Sequence, residues 1–353
     1  MKATKRVVIT GGHHSSALVV AEALRQEGFE IIWLGHKYSL AGDKNPSAEY
    51  QEVTQAGFRF ATLQAAKSHR WWRPANLWRF PWGFTQALFY LLRWRPQLIL
   101  SFGGYLAVPV VLVGWLMGIP CLTHEQTVVY GLANRLIAYF AKKVLVAWPQ
   151  SLKHFPAQKV VLTGLPLRQE ILAVKAQPHR QYTIYITGGK QGAHLINQAV
   201  RQALPSLLAK YRVIHQCGWF DWPEFRQLKK KNYTVKPYFF RQEIGSVLAQ
   251  ADLVVSRAGA HTVYELAALG KPALLIPIPW AYADEQQKNA QLLADVGLAQ
   301  ILPQSQLTAQ TLCQKIATLA SLPHSQKQTA AAKKLIVPDA TQKIVNVVQQ
   351  TIE

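Results

Sequence analysis

Two doubly wound α/β domains are the fold this chain predicts, and three observations carry the prediction. Short apolar runs that read as strands alternate with helix-like stretches, the pattern of a parallel sheet covered on both faces. The alternation restarts after a polar connector at residues 173–180, which contains Pro178. Each half also sets glycine-marked turns directly after its apolar runs. The first half has Thr10-Gly11-Gly12-His13 after Val7-Val8-Ile9, and Ser101-Phe102-Gly103-Gly104-Tyr105 after Leu98-Ile99-Leu100. The second has Thr187-Gly188-Gly189-Lys190-Gln191-Gly192 after Tyr182 to Ile186, and Ser256-Arg257-Ala258-Gly259-Ala260 after Leu253-Val254-Val255. Glycine lets backbone N–H groups approach an anion, and a helix start adds unpaired donors and a positive dipole end. Two phosphate-holding lobes follow from that pairing.

In order along the chain, the first half reads as a strand at 6–9, a helix at 16–27, a strand at 30–35 and a polar loop at 39–49. A helix at 83–94 and a strand at 97–101 come next. Residues 96–123 contain no charge and imitate a membrane span. Gly103, Gly104, Pro109, Gly114, Gly118 and Pro120 cut that stretch into a strand, a turn, a buried helix at about 108–117 and a strand at 120–123, so it reads as core. The second half reads as strands at 181–187, 211–216, 234–237, 252–256 and 272–277, with helices at 193–210, 244–251, 262–269 and 285–296 between them. At 353 residues the chain can bury two cores of ordinary size.

Charge narrows the partner. Lys and Arg number 39 against 18 Asp and Glu, a net +21, which calls for an anion: nucleic acid, an acidic membrane surface or phosphorylated substrates. From Val53 to His124 there is no acidic residue, while Arg59, Lys67, Arg70, Arg73, Arg79, Arg93 and Arg95 lie there with Trp71, Trp72, Trp78, Trp82 and Trp94. Part of this segment reads as core, and part as a face for an anionic bilayer, with aromatic rings at headgroup depth and cations on phosphates. Cys121, Cys217 and Cys313 are far apart and show no metal-ligand spacing, so neither a disulfide framework nor a zinc site is indicated, and a reducing cytoplasm fits. The apolar run after Lys2, Lys5 and Arg6 stops at Thr10-Gly11-Gly12, too soon for a signal peptide.

Taken in order, Thr10-Gly11-Gly12-His13 with Ala17-Leu18, Gly103-Gly104-Tyr105 with Pro109, His124-Glu125-Gln126, Gly164-Leu165-Pro166-Leu167-Arg168, Gly188 to Ala193, Arg257 to Glu265, and Asp284 to Ala290 resemble the motifs of the MurG family. The resemblance runs from Val7 to about Ile301. It implies a GT-B fold, two Rossmann-like domains facing a central cleft. It divides the chain into an acceptor- and membrane-binding domain at 1–165, a UDP-sugar-binding domain at 166–340, and a C-terminal helix at 341–353 that packs back towards the first domain. The implied activity is inverting transfer of N-acetylglucosamine from UDP-N-acetylglucosamine to lipid I, giving lipid II for peptidoglycan, at the cytoplasmic face of the cell membrane. The expected partners are that donor, lipid I, an anionic membrane surface and other wall-synthesis proteins, with no nucleic acid and no cofactor.

The residues fit that chemistry as follows. His13 is the candidate base, because an imidazole, with an ordinary pKa near 6.5, suits proton uptake from an acceptor hydroxyl. His14 stands beside it, and Glu125 is the alternative base or an orienting group. Glu265 is expected on the ribose hydroxyls; outside its motif it would read as a solvated helix glutamate. Arg168 is expected on the donor diphosphate, where its contact strengthens as UDP departs. Gly189, Lys190, Gln191, Gly192, Gly259, His261 and Thr262 complete the donor side, with Gln286 and Gln287 offering amides to sugar hydroxyls and Asn289 either capping or contacting sugar similarly. Thr10, Gly11, Gly12, Gly103, Gly104, Tyr105, His124 and Gln126 are expected on the acceptor. No Asp-x-Asp pair is present, so cations and helix starts must neutralise the leaving group, and no metal site is expected. Four positions depart from the family: Val8-Ile9 where a further glycine is usual, Thr127 for Asn, Lys190 for Ser, and Arg241 for an apolar residue against uracil. Thr127 and Arg241 stay on the donor side of the expected site. These departures would also suit a related lipid-linked glycosyltransferase with another UDP-sugar or acceptor.

Overall fold

The computed structural model describes residues 5–38, 46–64, 74–175, 180–189, 191–322 and 325–353, the side chains of 74–80 excepted. Lys190, Lys67, Arg70, Arg73, Trp71 and Trp72 lie outside the described residues, as do the side chains of Trp78 and Arg79. The chain forms two compact units, one of residues 1–167 with 337–353 and one of residues 168–336.

The first unit runs β1 (Arg6–Thr10), α1 (His14–Gln26), β2 (Glu30–Gly35), α2 (Ala48–Gln55), β3 (Arg59–Thr62), α3 (Pro74–Trp94), β4 (Leu98–Ser101), α4 (Ala107–Leu116), β5 (Cys121–Glu125), α5 (Leu132–Phe140), β6 (Lys143–Val146) and β7 (Val160–Leu162). All seven strands are parallel, in the order β3-β2-β1-β4-β5-β6-β7. The order reverses direction between β1 and β4, the topological switch at which open α/β sheets bind ligands. Ile9, Leu100, Phe102 and Leu122 pack on one face against Ala17, Val20, Ala21 and Leu24 of α1. Val8, Ile99 and Cys121 pack on the other against Ala107, Val110 and Val111 of α4. The charge-free stretch is therefore β4, α4 and β5, and among the described residues no helix is long and apolar enough to cross a membrane.

The second unit runs α6 (Gln169–Leu172), β8 (Thr183–Thr187), α7 (His194–Leu208), β9 (Arg212–Gln216), α8 (Trp222–Phe225), β10 (Tyr233–Lys236), α9 (Arg241–Gln250), β11 (Leu253–Ser256), α10 (Ala260–Leu269), β12 (Ala273–Leu275), α11 (Glu285–Asp295), β13 (Ala299–Ile301), α12 (Ala309–Ser321) and α13 (Gln326–Lys333). Its six parallel strands take the order β10-β9-β8-β11-β12-β13, with the switch between β8 and β11. The last helix, α14 (Ala340–Ile352), belongs to the first unit, where Ile344, Val345 and Val348 join the core beside α1.

Several elements differ from the sequence reading. The units divide between Leu167 and Arg168, upstream of the polar connector at 173–180. The reason is α6: its Ile171 is buried, and Glu170 at its start accepts a 2.7 Å hydrogen bond from Arg241 of α9. Part of the expected polar loop is α2, capped by Ser47, whose hydroxyl accepts from the Tyr50 amide. Helix α3 begins at Pro74, not residue 83, and carries Pro81 within it.

Candidate active site

In the first unit the loops that follow β1 and β4 touch at the switch. Gly11 adopts φ +131°, and a Cβ there would lie 2.6 Å from the carbonyl carbon of Phe102 and 2.8 Å from the Gly103 oxygen, so only glycine allows this approach. The Gly12 amide donates to the Gly103 carbonyl at 2.9 Å. His13 caps the start of α1, and its Nδ1 lies 3.0 Å from the Phe102 carbonyl. A carbonyl can only accept, so it keeps the proton on Nδ1 and leaves the lone pair on Nε2. His14 points elsewhere, its Nε2 3.3 Å from Glu52. Of the two adjacent imidazoles, His13 is the one bound to the glycine loops.

Glu125 ends β5, 3% exposed, and both of its oxygens are occupied. Oε1 accepts from the Thr127 amide at 3.0 Å and faces the Thr127 hydroxyl at 2.9 Å, while Oε2 accepts from Asn134 Nδ2 at 2.5 Å. The Thr127 hydroxyl also meets the Val129 carbonyl. Asn134 Oδ1 accepts from the Gly104 amide at 2.9 Å, and the Gly103 amide donates to Ser101 Oγ at 3.1 Å. Glu125 is thus tied through Asn134 to the second glycine loop. Sequence reasoning missed Asn134, whose only signal is a lone amide one turn before the buried Ile137 and Ala138 of α5.

Three residues expected on the acceptor lie beneath this surface. Thr10, His124 and Gln126 are all 0% exposed. His124 sits 2.8 Å through Nε2 from the Gly164 carbonyl, and burial pushes its pKa down to about 4, with His13 nearby adding to the shift. Thr10 Oγ1, His124 Nδ1 and both amide atoms of Gln126 find no hydrogen-bond partner among the described residues. These residues form the floor under the loops. Tyr105 remains half-buried near His36, its phenol raised by burial and by the Glu49 carboxylate.

In the second unit the glycine loop after β8 is pinned from β9. Gln216 Nε2 donates to Thr187 Oγ1 at 3.1 Å and to the Gly189 carbonyl at 2.9 Å, and the Gly189 amide donates to Thr187 Oγ1 at 3.0 Å. Gly192 closes the turn on the Gly189 carbonyl at 3.1 Å, and Gln191 is exposed at its tip. On the other side of the switch, Gly259 caps α10, with His261, Thr262 and Glu265 half-buried along its first turns. Glu265 Oε1 lies 3.6 Å from Arg168 Nη2, each side chain 18% exposed. The residues expected on ribose and on diphosphate are therefore neighbours.

The amides divide their work. Gln286 Oε1 accepts from the Ala258 and Ile278 amides at 3.2 Å each, and Asn289, 0% exposed, donates to the Ala258 carbonyl at 3.3 Å. Asn289 was expected on a sugar hydroxyl, but full burial directs it to the loop; Gln287 is exposed. Arg257, which no role was assigned from sequence, is 8% exposed and donates to the Ile276 carbonyl at 3.0 Å and to Gln304 Oε1 at 2.7 Å, clamping the same loop. Arg241, expected near uracil, begins α9 and pairs with Glu170. Among the described residues no cluster of His, Cys, Asp and Glu has the makings of a metal site.

Residues 8–146 match the glycosyltransferase family 28 N-terminal domain, and residues 183–344 match its C-terminal domain. The chain belongs to glycosyltransferase family 28. It is similar, at 36% identity over 100% of its length and 99% of the relative's, to the UDP-N-acetylglucosamine–N-acetylmuramyl-(pentapeptide) pyrophosphoryl-undecaprenol N-acetylglucosamine transferase of Desulfotalea psychrophila. The enzyme of the same name from Nitrosomonas eutropha is 34% identical, covering 98% of each chain. Among solved structures, Acinetobacter baumannii MurG aligns with a TM-score of 0.76 and 30% identity over 98% of this chain and 99% of its own. A kitacinnamycin glycosyltransferase, 16% identical with a TM-score of 0.75, shares the fold over 99% of this chain and 100% of its own. The family 28 chain is thus a glycosyltransferase of GT-B type with two α/β domains, and its resemblance to MurG holds over 98% of its length.

Proposed function

We propose that this glycosyltransferase moves N-acetylglucosamine from UDP-N-acetylglucosamine to undecaprenyl-diphospho-N-acetylmuramoyl-pentapeptide, lipid I, producing lipid II in peptidoglycan synthesis. The observation that carries the reading is the placement of the matched motifs. In each unit the glycine-marked motifs lie on the two loops that flank the switch of its sheet, and end-to-end relatives bear the name of this reaction. The chemistry follows from side chains already described. His13 Nε2 takes the proton of the acceptor hydroxyl while that oxygen attacks the anomeric carbon. The bond from that carbon to the UDP oxygen breaks on the opposite face, so the configuration inverts. Arg168 and the start of α7, set by the turn that Gly192 closes, meet the charge that grows on the departing diphosphate, and Glu265 holds the ribose. Glu125 orients the second glycine loop through Asn134 and stands as the alternative base.

The test is UDP release from UDP-N-acetylglucosamine in the presence and absence of lipid I. Release that depends on lipid I supports the assignment. Turnover with a different UDP-sugar in a donor screen, and none with this one, would move it to another lipid-linked transferase, the reading that Thr127 and Lys190 permit. Because the chain lacks an Asp-x-Asp pair, single-turnover transfer is expected to survive EDTA. Complete loss restored by magnesium or manganese would overturn that expectation.

The acceptor's lipid tail requires a membrane face, and the first unit offers one. Trp82, Leu88, Phe89 and Leu92 of α3, Trp115 and Leu116 of α4, and Leu132, Leu136 and Tyr139 of α5 are exposed. These three helices pack side by side, with Arg93, Arg95 and Arg135 exposed among the apolar side chains. Trp94, in contrast, is core, stacked on Tyr90 at 4.8 Å. Peripheral attachment to the anionic cytoplasmic leaflet fits this mixture of apolar rings and cations. Replacing Phe89, Leu92 and Leu116 together by serine is expected to cut sedimentation with anionic vesicles at least tenfold, with UDP affinity unchanged. Binding equal to the parent would exclude this face.

A further inference from the structure

The second unit holds a buried polar chain that no step above uses. It begins at Tyr233, the first residue of β10, whose hydroxyl lies 2.8 Å from His215 Nδ1. His215 Nε2 is 3.0 Å from Asn197 Oδ1, and Asn197 Nδ2 donates to Asp221 Oδ2 at 2.5 Å and to the Cys217 carbonyl at 2.6 Å. The other oxygen, Asp221 Oδ1, lies 2.6 Å from Nδ1 of His194, the first residue of α7, and Gln198 Nε2 lies 2.9 Å from Nε2 of the same ring. One directional assignment satisfies every atom. Tyr233 donates to Nδ1 of His215, Nε2 of that ring donates to Asn197, Asn197 donates to Asp221, and His194 donates to Asp221 from the other side. Burial holds the His215 pKa down to about 3, so the ring stays neutral and the direction persists.

The chain converges on the glycine loop. Gly192 and Gly218 meet backbone to backbone: a Cβ on Gly218 would lie 2.7 Å from the Gly192 Cα and 2.5 Å from the Gln191 oxygen. Asp221, 5% exposed, is three residues past that contact, and His194 is two residues past Gly192. A buried carboxylate is costly unless hydrogen-bonded, and the side chains that bond Asp221 come from the helix that starts at the loop's end. We infer that Asp221 is a positioning residue for the donor diphosphate: by holding His194 and Asn197 it fixes the start of α7, whose first-turn N–H groups have no partner within the helix, beside the turn that Gly192 closes. The inference rests on the reading that this loop takes the diphosphate.

Calorimetry on the full chain with UDP and with uridine tests it. Asp221→Ala is expected to weaken UDP binding at least fivefold and leave uridine within twofold, because the nucleoside does not use the loop. Asp221→Asn is expected to fall between that variant and the parent, since its oxygen still accepts from His194 while its amide confronts that of Asn197. His194→Ala removes a half-exposed side chain, leaves the sheet intact, and is expected to show the same UDP-selective loss if the buried variants do not fold. Equal losses for UDP and uridine would make the network merely structural, and unchanged UDP affinity in His194→Ala would overturn the inference. A parent that binds UDP no more tightly than uridine would overturn the diphosphate reading and the inference with it.

Discussion

Replacing His13 by alanine is expected to lower turnover by roughly a hundredfold or more while leaving UDP affinity within twofold, because general-base catalysis contributes on that scale. The argument is geometric. The Phe102 carbonyl, 3.0 Å from Nδ1, holds the proton there and keeps Nε2 as the acceptor. Glutamine at the same position can keep a donor on Phe102 but has no basic nitrogen, so His13→Gln is expected to be nearly as slow as His13→Ala. His14→Ala is expected to retain most activity, since that ring pairs with Glu52. Single-turnover rates measured at saturating donor separate the chemical step from binding. A His13→Ala enzyme with near-parental turnover would pass the role to Glu125. That carboxylate starts from a weaker position, with both oxygens engaged by Thr127 and Asn134.

The loops at the two switch points were legible because each combines an apolar run, glycines and a helix start within a dozen residues. All that local information survives in the sequence. Strands β3, β7 and β13 were not read, since they are short edge strands whose side chains are largely half-exposed and so carry little alternation. β6, Lys143 to Val146, was not read either: no glycine-marked turn follows its short apolar run. Among site residues, the misses are those defined by a distant partner. Asn134 matters because it reaches Glu125 and Gly104, and Arg257 because it reaches Ile276 and Gln304, none of which adjoins it in sequence. The burial of Asn289 and His124 was hidden similarly: a polar residue near a motif looks available until the floor beneath the loop is built.

Glu265→Ala is expected to weaken uridine binding by about 1.5–3 kcal/mol, roughly ten- to 150-fold, the cost of losing a carboxylate hydrogen-bonded to two ribose hydroxyls. Its neighbour complicates the measurement with UDP. Arg168 lies 3.6 Å from Glu265, and each charge partly neutralises the other. Removing the carboxylate leaves Arg168 more positive towards a diphosphate, so the loss for UDP is expected to be smaller than the loss for uridine. Arg168→Gln should do the reverse, costing UDP affinity and sparing uridine, because a guanidinium recognises phosphate oxygens and the nucleoside has none. The ribose contact has its own signature: the parent should discriminate against 2′-deoxyuridine, and Glu265→Ala should bind uridine and 2′-deoxyuridine alike. Calorimetry with these ligands on the parent and both variants separates the roles. Unchanged uridine affinity in Glu265→Ala would place the carboxylate outside the nucleoside site and leave it as the structural partner of Arg168.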